Sequence, residues 1–267
     1  MRTIAGLAPV EGTRLHFEVA GEGPAVVLLH GRGLGRRMWQ PQIEAFASGF
    51  RVIAYDLRGQ GDSPSGTNAY SHADDLARLL DHLGLERAVL IGCSMGGGAA
   101  INFAVQHPRR VRALIVAGSS LGGHRWSPAF AATLGSLARI AAEQGAAAAT
   151  EAYLATPLFA GMRALPDGET RLRAIVRPED GARWNEPDLG RPLVPPARER
   201  LGAIAAPTLV IVGERDVEDM QAIAEILGRE IAGARTVKLA GLGHLPSLED
   251  PASFNRVVRE FLLSLPD

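Results

Sequence analysis

The sequence predicts an α/β protein built on a mostly parallel sheet, and two observations carry that expectation. Short aliphatic runs that are apolar on both faces recur at 25–29, 51–55, 88–92, 113–117 and 208–212. Stretches with helical spacing of apolar residues separate them. A strand covered by helices on both sides loses the alternation of a half-exposed strand, and strands that alternate with helices pair in parallel.

The elements follow in order. Residues 13–20 place Leu15, Phe17 and Val19 on one face and polar residues on the other, the pattern of a half-exposed strand. Gly21-Glu22-Gly23-Pro24 then breaks the chain before the first buried strand. Ala73, Leu76, Leu80 and Leu83 share one helical face, and Gly84 stops that helix. After the strand at 208–212, a helix is expected over 217–231 with Met220, Ile223 and Leu227 in phase. A strand at 236–239 and a last helix over 251–265 complete the chain, the latter with Phe254, Val257, Val258, Phe261, Leu262 and Leu265 on one face.

Residues 120–200 differ, being rich in Ala, Gly and Pro and without a strand pattern. Helical spacing over 127–144 (Phe130, Leu134, Leu137, Ile140), a second short helix at 150–154 and a loop at 187–196 make this segment a helical cap inserted into the sheet domain. The Ala146–Ala149 run is helix filler. The expected organisation is therefore a core in two parts, 1–119 and 201–267, interrupted by a cap at 120–200.

The composition narrows the function. A chain of 267 residues, 46% hydrophobic and 21% charged, can bury a large core. A net charge of −1 gives no electrostatic footprint for nucleic acid or an anionic membrane. The single cysteine, Cys93, rules out an intramolecular disulfide and provides no argument for an oxidising compartment. Arg2, Glu11, Arg14 and Glu18 leave no room for the apolar core of a signal peptide, and the longest apolar runs are far shorter than a membrane span. The expectation is a soluble, cytoplasmic protein, monomeric or homodimeric.

Four motifs carry chemistry. The strongest is Val89-Leu90-Ile91-Gly92-Cys93-Ser94-Met95-Gly96-Gly97-Gly98, a buried strand that runs through Gly-x-Ser-x-Gly into a helix. A nucleophile displayed on so sharp a turn needs small neighbours, and the Met95 N–H at the helix start faces the position of a developing oxyanion. His30-Gly31-Arg32-Gly33 follows the first buried strand and can supply a second oxyanion donor, the Arg32 N–H. Asp216 follows the strand at 208–212 and is the candidate acid, with Glu214 and Asp219 as competitors. Its bland alternative is a solvated turn acid or a helix cap. His244 follows Leu239-Ala240-Gly241-Leu242-Gly243 on a flexible turn and can reach both a serine and an acid. Of the histidines outside these motifs, His16 lies in a strand, His72, His82 and His107 lie at helix ends, and His124, in the first loop of the cap, could line the pocket. All four motifs fall just after strands, where open parallel sheets bind ligands.

These motifs, with Tyr55-Asp56-Leu57-Arg58-Gly59-Gln60-Gly61-Asp62-Ser63, make the sequence resemble the α/β-hydrolase superfamily over 13–118 and 206–265. The resemblance implies the α/β-hydrolase fold and a triad in the order Ser94, Asp216, His244. It implies structural roles for Asp56, Arg58 and His30. Within the superfamily, the segments around His30 and Ser94 are similar to small carboxylesterases, enol-lactonases and cofactor-free perhydrolases. The absence of a carboxylate at Ser119-Ser120 favours Asp216 as the acid.

The expected activity is hydrolysis of a small-molecule ester or lactone through an acyl-enzyme, with no metal and no organic cofactor. The alternatives are perhydrolysis or lyase chemistry on the same triad, or ligand binding with little turnover. Trp126, Phe130, Leu134, Phe159 and Trp184, with Gly33, are the candidate pocket residues. The same aromatic side chains could instead dock the cap. The Arg32 side chain could bind a substrate carboxylate or stay solvated. Cys93 is expected to point into the core.

Overall fold

The computed structural model describes residues 3–186 and 189–265. Residues 1–2, 187–188 and 266–267, and with them the first two positions of the expected 187–196 loop, lie outside that description.

Eight strands among the described residues form one sheet: β1 (Thr3–Val10), β2 (Thr13–Ala20), β3 (Ala25–Leu29), β4 (Arg51–Tyr55), β5 (Ala88–Cys93), β6 (Val111–Ala117), β7 (Thr208–Gly213) and β8 (Arg235–Leu239). Their spatial order is β1-β2-β4-β3-β5-β6-β7-β8. β2 runs antiparallel to β1 and β4, and every pairing from β4 to β8 is parallel. This is the expected α/β architecture. β5 and β7 are buried along their whole length, which explains their uninterrupted apolar sequence.

β1 is a strand that the sequence pattern does not reveal. It forms the sheet edge, where most of its side chains are exposed, so no burial periodicity is imposed on Ile4-Ala5-Gly6-Leu7. Pro9 is tolerated there because a proline's missing N–H is harmless at an edge. Glu11-Gly12, with Gly12 at φ 76°, turns the chain into β2.

The helices of the core are α1 (Gln40–Phe46), α2 (His72–His82), α3 (Met95–Gln106), α8 (Glu218–Glu230), α9 (Pro246–Glu249) and α10 (Pro251–Leu263). α2 starts where the Ser71 hydroxyl accepts from the Ala73 and Asp74 N–H groups, and it buries Leu76, Leu79 and Leu80. α10 is capped by Asp250, which accepts from Ser253 N–H, and it buries Phe254, Val257, Val258, Phe261 and Leu262.

Between β6 and β7 the chain forms α4 (Pro128–Gln144), α5 (Ala146–Ala155), α6 (Ala160–Arg163) and α7 (Gly168–Ile175). α6 is four residues long, and α7 buries only Gly168 and Leu172, so neither leaves a readable apolar stripe. Several contacts tie this segment to the core. The Ser127 N–H and hydroxyl donate to Asp219 at 2.9 and 2.6 Å. Arg177 reaches Asp62 at 2.9 Å. Arg191 N–H donates to the Tyr70 carbonyl at 2.6 Å.

Candidate active site

Ser94 follows the last residue of β5 and precedes the first of α3, at φ 52° and ψ −116°. It is the one non-glycine residue with positive φ among the described residues. Such backbone costs on the order of 1–3 kcal/mol and persists only where the surroundings enforce it. Here Ser94 N–H donates to the Ala117 carbonyl at 3.0 Å. Its own carbonyl accepts from Gly98 N–H, Ser120 N–H and the Ser120 hydroxyl. A Cβ on Gly92 would lie 2.5 Å from the Gly96 oxygen, and one on Gly96 would lie 2.2 Å from the Leu29 oxygen. Only glycine permits the crossing of β5, α3 and β3 that produces the turn.

Asp216 and His244 lie beyond β7 and β8. Both are nearly buried, at 5% and 4% exposure, so water does not compete for their contact. His244 Nδ1 sits 3.0 and 3.1 Å from the two Asp216 carboxylate oxygens. A carboxylate only accepts, so the imidazole carries its proton on Nδ1 and presents the Nε2 lone pair. Asp216 Oδ1 also accepts from Val217 N–H at 2.8 Å. Gly118, at φ 50°, closes the gap between this pair and the strand that holds Ser94: a Cβ there would lie 2.9 Å from His244 Nδ1.

The competing acids are engaged elsewhere. Glu214 accepts from Gly241 N–H at 2.8 Å. Asp219 binds Ser127 and, at 3.2 Å, His124. Burial raises the Asp219 carboxyl, but the Ser127 and His124 donors outweigh it and hold the group below its usual range. The Ser94 hydroxyl makes no hydrogen bond among the described residues.

A residue that sequence reasoning did not single out completes the His244 turn. The Glu249 carboxylate accepts from Gly243 N–H at 2.5 Å and from Leu245 N–H at 2.9 Å. It therefore grips the backbone on both sides of His244. The only sequence signal is an acid five residues after the histidine, at the end of α9.

The loop after β3 is equally constrained. His30 is fully buried. Its Nε2 accepts from Leu57 N–H at 2.9 Å, which leaves Nδ1–H to donate to the Gly31 carbonyl at 2.7 Å. Burial holds the His30 pKa below its ordinary value, in keeping with this neutral tautomer. The Gly31 carbonyl shares a planar trans peptide with the Arg32 N–H, so pinning one aims the other in the opposite direction. The next peptide is pinned as well: Tyr153 Oη donates to the Arg32 carbonyl at 3.1 Å, and Gly33 N–H donates to Gln60 at 2.8 Å. A Cβ on Gly31 would lie 3.4 Å from Ser94 Cβ, which brings this loop against the serine. Met95 is the first residue of α3, where an N–H has no intrahelical acceptor.

Asp56 and Arg58 brace loops beneath. Arg58 forms a two-pronged pair with Asp75 at 2.7 and 2.8 Å, and Asp56 accepts from Arg36 N–H at 2.6 Å. Cys93 is fully buried, and burial pushes its thiol pKa up, as befits an unreactive core residue.

A cavity of about 230 Å³ opens over Ser94 and Met95. Trp126, Phe130, Leu134 and Trp184 line it, together with Tyr153, Leu158 and Met220, which the sequence did not mark. Two expected lining residues stand elsewhere. Phe159 is 1% exposed and packs edge-on to Tyr153 at 4.8 Å, because the 3-10 turn Pro157–Phe159 brings Leu158, not Phe159, to the cavity. Gly33 lies behind the Tyr153 ring, 3.3 Å from where a Cβ would stand, and is not in that wall.

The fold agrees with the comparisons to known proteins. The family model described as "alpha/beta hydrolase fold" matches residues 24–251, and the chain belongs to that family. Over most of its length it is similar to carboxylesterase YbfK of Bacillus subtilis, at 31% identity across 93% of this chain and 84% of that protein. The enol-lactonase structure from Burkholderia xenovorans LB400 superposes with a TM-score of 0.81 at 29% identity, covering 97% of this chain and all (100%) of that one. The pimeloyl-[acyl-carrier protein] methyl ester esterase of Vibrio campbellii is 42% identical, but over only 40% of this chain and 42% of that protein. The chain thus spans about two-fifths of the length of the first curated relatives it matches. No helix among the described residues is long and apolar enough to cross a membrane.

Proposed function

We propose that the chain is a serine hydrolase that cleaves small carboxylic esters or lactones through an acyl-enzyme. The observation that carries the proposal is Ser94 held at positive φ against an apolar cavity, its N–H on the Ala117 carbonyl, with a buried His244–Asp216 pair packed against the next residue, Gly118. His244 Nε2 takes the hydroxyl proton as Ser94 Oγ attacks the carbonyl carbon. The carbonyl oxygen becomes an oxyanion that accepts from the Met95 and Arg32 N–H groups. On collapse, the carbon–oxygen bond to the alcohol breaks, and His244 returns its proton to the alcohol. Water, deprotonated by His244, then attacks the acyl-enzyme, the bond to Ser94 Oγ breaks as His244 returns the proton to that oxygen, and the acid is released. Asp216 keeps the imidazole in the Nδ1–H tautomer and stabilises its charged form. The 120–200 segment acts as the cap that provides most of the apolar wall. The YbfK and enol-lactonase names support ester and lactone substrates. A cytoplasmic location fits a single buried cysteine.

The test is hydrolysis of p-nitrophenyl acetate and butyrate by wild type beside Ser94→Ala. Turnover that falls more than about 10⁴-fold in the variant, with thermal stability retained, is the expected result. Equal turnover in both proteins would refute the assignment of Ser94.

A further inference from the structure

Ester hydrolysis at Ser94 engages Arg32 only through its backbone N–H, and its side chain has surroundings of its own. The Arg32 guanidinium carbon lies 5.1 Å from the centroid of the Trp184 ring. Arg32 is partly buried and lines the same cavity as Ser94. No carboxylate among the described residues comes within ion-pair distance of it. The acids nearby already have partners: Glu186 holds Arg183 at 2.9 Å, Asp75 holds Arg58 at 2.7 Å, and Asp180 holds Arg177 at 3.5 Å. Among the described residues no carboxylate compensates Arg32, which lines a chamber walled by Trp126, Phe130, Leu134 and Leu158.

A partly desolvated charge is costly unless it gains a partner. Stacking on Trp184 offsets part of that cost, and among the described residues no hydrogen bond takes up the in-plane N–H donors of the guanidinium. Those donors form a planar fork that matches a carboxylate. The fork is also held in advance. Tyr153 anchors the Arg32 carbonyl at 3.1 Å, and its ring packs 5.2 Å from the Trp184 ring on which the guanidinium rests. A ligand meeting Arg32 loses less conformational freedom than one meeting a free surface arginine.

We propose that the Arg32 side chain binds a carboxylate carried by the substrate, so that the preferred substrates are esters or lactones bearing a second, free acid group. This rests on the hydrolase reading above. One residue then holds the scissile carbonyl oxygen through its backbone and the distal carboxylate through its side chain. The two groups must lie within one arginine side chain of each other. Hemiesters of short dicarboxylic acids and lactone acids meet that limit, and long aliphatic esters do not.

The experiment compares mono-(4-nitrophenyl) glutarate with its uncharged methyl ester, which has the same acyl chain, in wild type, Arg32→Met and Arg32→Lys. The readout is the ratio of kcat/KM for the anionic over the neutral ester, which cancels any effect of substitution on the shared backbone donor. Wild type is expected to favour the anionic ester. Arg32→Met is expected to lower the ratio about 10- to 100-fold, the range for a charge-assisted hydrogen bond, and Arg32→Lys to recover part of it. An unchanged ratio in Arg32→Met overturns the carboxylate site while leaving the hydrolase intact. Calorimetric titration with glutarate separates the two failures. If neither ester turns over but wild type binds glutarate at least tenfold more tightly than Arg32→Met, the hydrolase reading falls and the carboxylate site stands. If neither ester turns over and glutarate does not distinguish the two proteins, the carboxylate site falls as well.

Discussion

Replacing Glu249 tests whether the His244 turn is held by its carboxylate. Two backbone donors, Gly243 N–H and Leu245 N–H, end on its two oxygens at 2.5 and 2.9 Å. Gly243, Leu245 and Glu249 are all buried. A hydrogen bond to a charged group contributes about 1.5–3 kcal/mol, and a buried donor left without an acceptor costs a similar amount. Glu249→Ala removes both acceptors, so a stability loss of about 3–6 kcal/mol is the upper bound. Glu249→Gln keeps one acceptor but turns an NH2 group towards the second N–H, so it should cost about half as much. The consequence for catalysis is positional. None of these three residues lines the cavity over Ser94, so substrate binding has no direct stake in them. An imidazole displaced by about 1 Å can cost about 100-fold in rate. Glu249→Gln should therefore lower kcat for p-nitrophenyl butyrate about 10- to 100-fold and leave KM within about threefold. Steady-state kinetics below the variant's melting temperature, beside a thermal melt, separate positioning from unfolding. A fully folded Glu249→Gln protein with wild-type kcat, or one in which only KM rises, would refute the reasoning.

Other outcomes follow from the same contacts. Gly161 on α6 stands where a Cβ would lie 2.2 Å from Glu249 Oε2. That carboxylate cannot swing away without releasing its two N–H donors. Gly161→Ala should thus lower kcat from outside the cavity and cost about 1–3 kcal/mol of stability, the usual range for overpacking. In a double-mutant cycle its kcat effect should be less than additive with Glu249→Gln, and strict additivity would show that the two do not act through one element. His30 titrates below its ordinary value because it is buried. The unfolded chain then binds a proton that the folded chain resists, so this group's contribution is complete above the unfolded pKa of about 6.5 and is lost as pH falls below it. Between pH 7 and 5 the loss is at most about 2 kcal/mol from this residue. Urea titrations should show a shallower acid loss in His30→Gln than in wild type, and identical slopes would count against a neutral buried His30.

Much of the fold was legible because burial writes itself into composition. β3 and β4 were bounded from sequence to the residue, since strands covered on both faces must be apolar throughout. The faces of α2 and α10 were legible for the same reason, each helix presenting one stripe to the core. β1 was not, since an edge strand with mostly exposed side chains obeys no burial period. α7, with two buried residues, falls under the same limit.

At the site, the sequence by itself determined that Ser94, Asp216 and His244 each stand just past a strand. That is local information: a glycine-flanked turn, or an acid or histidine after an apolar run. Only the tertiary structure decided which acid meets His244, because Asp216, Glu214 and Asp219 lie within six residues and differ in what surrounds them. It alone brought Tyr153 to Arg32 across a separation of 121 residues. It also put Leu158 in place of Phe159 in the cavity wall, a difference of one residue in the phase of a short turn. Glu249 was hidden for a further reason. A side chain that bonds to backbone N–H groups acts on atoms every residue possesses, so its partners leave no mark in the sequence, and only the path of the folded chain brings donor and acceptor together.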